Sequence, residues 1–287
     1  TFVGASAGDV TTTSGNNTAI GHNALGGNIL GSSNVAIGKD ALEVMNKDAN
    51  TYNVAVGTTA GQNVTTGELN VFIGGLSGLF ATTADGSTFV GHQAGQGITG
   101  AKLTGNHNTV VGVKAGLLLQ GAATQNTLVG ARAGDAITTA ADNTAVGYQC
   151  LTTTSTGHSN VAMGTNAMNG NQTGIRNTGI GFQALANGLT ADDNAALGHN
   201  AGVNITTGHS SVAIGSSALY TEDTGRKNVA IGFEALKTQN ADVDNFNVAV
   251  GYQSGKGVTD GIENTIIGAL AGDAVTTADN NTLIGSL

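Results

Sequence analysis

Short apolar triplets recur along the whole chain, each closed by a glycine and parted from the next by a longer polar stretch. Asn34-Val35-Ala36-Ile37-Gly38 is the clearest copy. Its closing glycine falls at 4, 21, 38, 57, 74, 91, 112, 130, 147, 164, 181, 198, 215, 232, 251, 268 and 285, and twelve of the sixteen intervals are 17 residues. A fixed period of this size is the signature of a solenoid. With the glycine as position zero, −1 is Ile, Val, Leu or Met in every copy, and −3 is Thr or Val except at Ala195. Residues two apart share one face of a strand, and β-branched side chains suit it. The pattern predicts an all-β parallel solenoid of seventeen coils of about 17 residues, each with an inner strand, a turn, a shorter outer strand and a second turn. The −1 ladder, Ile20, Ile37, Val56, Ile73, Ile214 and Ile231 among it, is assigned to the structural core.

The other columns sharpen this. Position −4 is Asn in fourteen of sixteen coils, as at Asn17, Asn34, Asn53, Asn70 and Asn228. A stack of such amides can bond from coil to coil. Position +3 is always small, and Cys150 fills one such slot as a small hydrophobe. Positions −2 and +4 trade volume. Every Leu or Met at +4 lies between two Ala or Gly residues at −2, and eight of nine glycines at +4 neighbour a bulky −2 residue, Gly202 being the exception. Close-packed interiors trade volume in this way, so consecutive coils stack directly.

Both strand faces are apolar and carry no charge in any coil. A strand of that kind must be covered on both sides. The returning segment covers one, and a further copy of the chain around a symmetry axis is expected to cover the other. The chain is therefore expected to self-associate. Its motif runs from Thr1 to Gly285 without caps, so residues 1–287 are expected to be one repeat solenoid, a segment of a longer fibre.

Composition narrows the classes. There are 46 glycines, no proline and no tryptophan in 287 residues. Collagen is excluded by the missing Gly-X-Y period and missing proline. Net charge is −9, with ten scattered Lys and Arg, which argues against nucleic acid as a partner. No apolar run approaches the ~20 residues needed to span a bilayer, so no membrane insertion is expected.

Asn-Val-Ala-Ile-Gly at 34–38 and 228–232, and Ser-Val-Ala-Ile-Gly at 211–215, resemble the head repeats of trimeric autotransporter adhesins of the YadA type. Asn143-Thr-Ala-Val-Gly-Tyr-Gln-Cys-Leu151 is similar to repeats in phage tail fibres. The resemblance spans all seventeen coils. It implies a left-handed parallel β-roll, assembled as a homotrimeric rod at an extracellular, cell-surface or virion location. It leaves adhesin and viral fibre both open.

Candidate chemistry is sparse. The four long coils carry extra residues around Glu43–Tyr52, Gln96–His107, Leu117–Gln125 and Lys237–Phe246. Insertions in solenoids map to surface loops. Lys47, Asp48, Lys102, His107, Asp242 and Asp244 are thus candidate contact residues for an unidentified surface receptor, glycans among the candidates. Asp242, Asp244 and Asn247 outline a calcium-like loop but lack the glycine and glutamate of an EF-hand. Gly251–Lys256 is one residue short of a phosphate loop. His22, His92 and His199 each follow a motif glycine, and only copies around an axis would bring equivalent ones together. No catalytic arrangement emerges, and no cofactor or metal is expected. The expected function is non-enzymatic attachment through a trimeric fibre, with two alternatives. One is a structural spacer for a distal recognition domain. The other is an ice-binding solenoid, suggested by Thr at +9 in ten of the twelve 17-residue coils.

Overall fold

A computed structural model describes residues 1–286. The described residues are all β, with seventeen short parallel strands, one per coil, and no helix. The chain divides into two compact units, Thr1–Asn143 and Thr144–Leu287. The first holds β1 (Phe2–Val3) through β8 (Thr127–Val129), and the second β9 (Thr144–Val146) through β17 (Thr282–Ile284). Within each unit every strand pairs with the equivalent strand of the next coil in register, as Val35↔Val54, Ala36↔Ala55 and Ile37↔Val56.

The expected outer strand does not form. The return half of each coil is a chain of turns, with only isolated bridges such as Ser32↔Asn50 and Arg226↔Asp244. The backbone gives the reason. Left-handed residues stand at −5, +2 and +4 in coil after coil, for example Ser33 (φ 65°), Asp40 (φ 55°) and Leu42 (φ 47°). An extended segment cannot survive such residues at this spacing. Each bends the chain while its N–H bonds to a neighbouring coil: Ser33 N to Gly15 O at 3.0 Å, Asp40 N to His22 O at 3.0 Å, Leu42 N to Ala60 O at 3.1 Å. These bonds offset the ~1–2 kcal/mol that an L-residue loses in the left-handed region.

The motif glycine is doubly required. Gly57 has φ 139°, and a Cβ there would sit 2.6 Å from the carbonyl carbon and oxygen of Gly74 in the next coil. Only glycine allows both the dihedral and the approach.

The core lies on the −2 side of the strand. Ala36, Phe72, Phe89, Val110, Leu128 and Ile266 are fully buried against the +3 and +4 residues of the returning segment. A Cβ on Gly95 would lie 2.5 Å from the ring of Phe89, and one on Gly61 would be 2.7 Å from Phe72. The glycines at +4 therefore make room for the bulky residues at −2. Gly202 has a different reason: a Cβ there would be 3.0 Å from Ile205 and from Leu185. Ile205 stands at +7 of the same coil. The +7 column shows the tendency: apolar Val64, Leu119, Ile137, Ile205 and Val258 accompany glycine at +4, whereas polar or small Asn28, Thr154, Asn171, Gly188, Glu222 and Gln239 accompany Leu or Met, with Met45 beside Leu42 an exception.

The asparagine column is buried and bonds in both directions. Asn34 N–H donates to Asn17 Oδ1 at 2.8 Å, Asn53 N–H to Asn34 Oδ1 at 3.0 Å, and Asn70 N–H to Asn53 Oδ1 at 3.0 Å. The side-chain amides donate to carbonyls of the following return segment, Asn17 Nδ2 to Gly31 O and Asn53 Nδ2 to Gly67 O, both at 2.8 Å. Each rung thus ties a strand to a turn.

Candidate functional site

The −1 column stands outside the chain's own core, which corrects its assignment to the interior. Ile20, Ile73 and Ile214 are exposed by 39, 40 and 37%, and Ile37, Val56 and Ile231 are half-buried. The pleat explains the difference. A three-residue strand sends its middle side chain inward and its flanking pair outward, and the return segment lies on the middle side. In each unit the outward face is therefore a row of Ile, Val, Leu and Met beside a row of Thr and Val, Ala195 excepted. Neither row contains a charge.

A third row borders this face at +1, immediately after the glycine. In the second unit it includes Tyr148, Phe182, His199, Phe233 and Tyr252, all exposed, interrupted by the small residues Thr165, Ser216 and Ala269. Phe182 and His199 stack with centroids 5.3 Å apart, and Phe233 stacks on Tyr252 at 5.4 Å. Large exposed apolar patches on a folded chain mark interaction surfaces. These aromatics were legible in the sequence, since each sits one residue past a motif glycine.

The candidate contact residues do not converge. Lys47 and Asp48 belong to the coil opened by Gly38, and Lys102 and His107 to that opened by Gly91. Asp242 and Asp244 lie in the second unit. Most are bound to the coil beside them. Lys47 pairs with Glu68. The backbone of Lys102 accepts from Gly121 N–H, and His107 N–H donates to Asp85 O, both at 2.9 Å. Asp242 accepts from Thr224 Oγ1 at 2.5 Å. Asp244 accepts from Lys227 Nζ at 2.6 Å, and that bond, with Lys227 and Arg226 charges nearby, holds its carboxyl below the ordinary range. Asp48 is exposed.

The Gln96–His107 insert is itself anchored. Leu103 is fully buried and bridges Gly121, while Ile98, Thr99 and Gly100 form an exposed tip closed by the Ile98↔Ala101 bridge. The calcium-like loop is not assembled. Asn247 is an inward rung of the asparagine column, donating to Gly261 O at 2.7 Å and Gln239 Oε1 at 2.8 Å, while Asp242 is exposed. Lys256, in the phosphate-loop-like segment, pairs with Glu234 at 2.7 Å. The hydrogen bond from Lys237, with those from Lys256 and Gln253, holds that carboxyl down at about 2. His22 lies 3.9 Å from Asp40. Cys150 is buried and donates to Gly147 O at 3.2 Å, and burial pushes its thiol up to about 12. Among the described residues no three His, Cys, Asp or Glu side chains group closely enough to hold a metal ion. No described helix is long and apolar enough to cross a membrane.

The threonines at +9 form an outward column, with Thr156, Thr173, Thr190 and Thr207 exposed on successive coils. Two positions on, the same coils carry His158, Ile175, Asp192 and His209, so the surface is uneven. No family model, no curated protein and no solved structure matches this chain.

Proposed function

We propose that the chain is the repeat segment of a homotrimeric fibre with a non-catalytic role in attachment at a cell or virion surface. The observation that carries this reading is the uncharged outward face of −1 and −3 residues. It leaves Ile, Val, Leu and Met side chains half-exposed on coil after coil in both units. Burying such residues contributes roughly 25 cal/mol per Å², and a continuous row of them favours self-association over solvent. The number three, the left-handed coil and the extracellular setting rest on the resemblance of the Asn-Val-Ala-Ile-Gly motif. Attachment would act by avidity, three weak contacts reinforcing one another. The solution mass tests the assembly. A mass near 85 kDa, three times the 28.2 kDa chain, supports it, and a monomer near 28 kDa refutes it.

A spacer reading is favoured by a separate observation. Lys47, Asp242 and Asp244 already bond to neighbouring coils, which leaves them less free for a receptor. Replacing the exposed tip Ile98–Ala101 by a two-residue turn, with Leu103 kept, separates the two. Loss of binding to cells or glycan arrays supports attachment through the insert, and unchanged binding supports the spacer.

A further inference from the structure

Glu222 is fully buried in the second unit, at +7 of the coil opened by Gly215, yet no cation pairs with it among the described residues. Four N–H groups surround it. Gly225 N and Asp223 N donate to Oε1 at 2.8 and 3.2 Å, and Asn245 Nδ2 and Asn228 Nδ2 donate to Oε2 at 2.9 and 3.1 Å. Asn228 and Asn245 explain the placement. Elsewhere in the column the asparagine amide reaches a carbonyl 14 residues on. The next coil, Gly232 to Gly251, has 19 residues and draws that carbonyl away, and Glu222 takes its place. The first unit meets the same 19-residue problem after Asn34. There the equivalent of Glu222 is Asn28, whose Oδ1 accepts from Gly31 N–H at 2.8 Å. Asn34 Nδ2 there turns back to Ser32 O at 3.2 Å, so the first unit meets the longer coil without a carboxyl.

One further atom matters. Asn245 Oδ1 is buried without a hydrogen-bond partner, although the same amide donates to Glu222 through Nδ2. A half-turn of that amide offers Oδ1 to a protonated carboxyl. The cage can thus hold either form of Glu222; its N–H donors favour the ionised one, and full burial with no cation beside the carboxyl outweighs them in favour of the neutral one. The charged groups around it do not help the ionised form. Asp223 is adjacent in sequence, and Asp242 and Asp244 are on the following coil. Arg226 and Lys227 are both turned to Asp244, at 3.8 and 2.6 Å. His209 is on the preceding coil, and Glu263 on the coil beyond is exposed.

We propose that Glu222 is a proton-operated latch: protonated, it fastens the bulge at 241–246 of the following coil to the unit, and ionised, it lets that bulge open. The bulge carries Asp242 and Asp244, so the latch governs the mobility of a candidate contact loop. Burial pushes the carboxyl up to about 7, from an ordinary 4.5. Between those values the closed form keeps a proton that the open form releases. The stabilisation is therefore complete below about 4.5 and is lost as pH rises through about 7.

Amide hydrogen exchange, corrected for the intrinsic pH dependence, tests this on the whole chain. The opening constant of segments 222–228 and 239–247 is expected to be about 70-fold larger at pH 8 than at pH 5, while the equivalent segment 28–52 stays flat. Glu222→Gln should remove the difference. Glu222→Asn, which copies the Asn28 solution, decides the matter if the first variant fails to fold. No pH dependence in the parent chain overturns the proposal. So does a slope that persists in the variant that folds, because Asp223 or Asp242 would then be the titrating group.

Discussion

Removing one rung of the asparagine column should open the stack locally, by an amount the hydrogen bonds predict. Asn70 is fully buried. Its Oδ1 accepts from Ser87 N–H at 2.9 Å, and its Nδ2 donates to Ala84 O at 2.7 Å. Asn70→Ala strands both partners in the interior, where Ser87 and Ala84 are also buried. An unsatisfied buried polar group costs about 1–3 kcal/mol, so the pair costs about 3 kcal/mol even with partial relaxation. Asn70→Ser is the informative companion. Ser87 already occupies this column, and its Oγ accepts from Asn108 N–H at 3.2 Å. Serine thus keeps the coil-to-coil bond and loses only the arm to the return turn, at a cost of about 1.5 kcal/mol. Coils contact only their neighbours, so the loss should be local rather than global. Amide exchange across residues 70–88 should show opening constants about 150-fold higher for Asn70→Ala and about 10-fold higher for Asn70→Ser. An alanine variant within threefold of the parent would refute the two-armed rung. So would equal effects of serine and alanine.

Three further outcomes follow from packing. Gly202→Leu alone should overpack against Ile205 by about 1–3 kcal/mol. Ile205→Thr alone leaves a void, and the double variant recreates the Leu151/Thr154 pairing, so a double-mutant cycle by urea denaturation should show favourable coupling of about 1–2 kcal/mol. Gly188→Ala should stabilise by about 0.4–1 kcal/mol, because its φ is not positive and its Cβ would meet Ile205 O, Leu185 O and Ala191 Cβ at 3.4–3.7 Å; a lowered urea midpoint would contradict this. Ile214→Asp, on the outward face, should cut the solution mass to that of one chain while leaving the circular dichroism unchanged, since the side chain is already 37% exposed. A variant that unfolds instead would place Ile214 in the chain's own core.

The period, the strand, the glycine and the asparagine rung were legible in the sequence, because each depends on contacts that recur in most coils. The inner side of the strand was not. Alternation separates −2 from −1 and −3 but does not say which set the return segment covers, and both sets are apolar. The missing outer strand had no sequence signal strong enough to exclude it. Left-handed residues at +2 include Asp40, Thr59, Leu76 and Arg132, which share no side-chain chemistry; stacking against neighbouring coils, not local propensity, sets their backbone. The role of +7 was legible in principle. Ile205 beside Gly202, and Thr154 beside Leu151, obey a volume rule within one coil. Comparing +4 only with −2 left Gly202 unexplained. Glu222 was invisible for another reason. Its bond from Asn228 goes with the extra length of the following coil, a property of two coils and not of its own motif.

The volume trade between −2 and +4 has a consequence for how the chain finds its register. A perfectly uniform repeat could extrude any one coil and close the stack over the gap, because every column would still meet its own kind. Here a coil skipped where the two kinds of coil meet is detected at once. Closing the stack over the coil opened by Gly57 would bring Leu42 against Phe72, which now has the cleared space of Gly61 beside it. The changes between large and small residues thus act as marks written through the interior: a slip that crosses one of them is penalised by steric conflict.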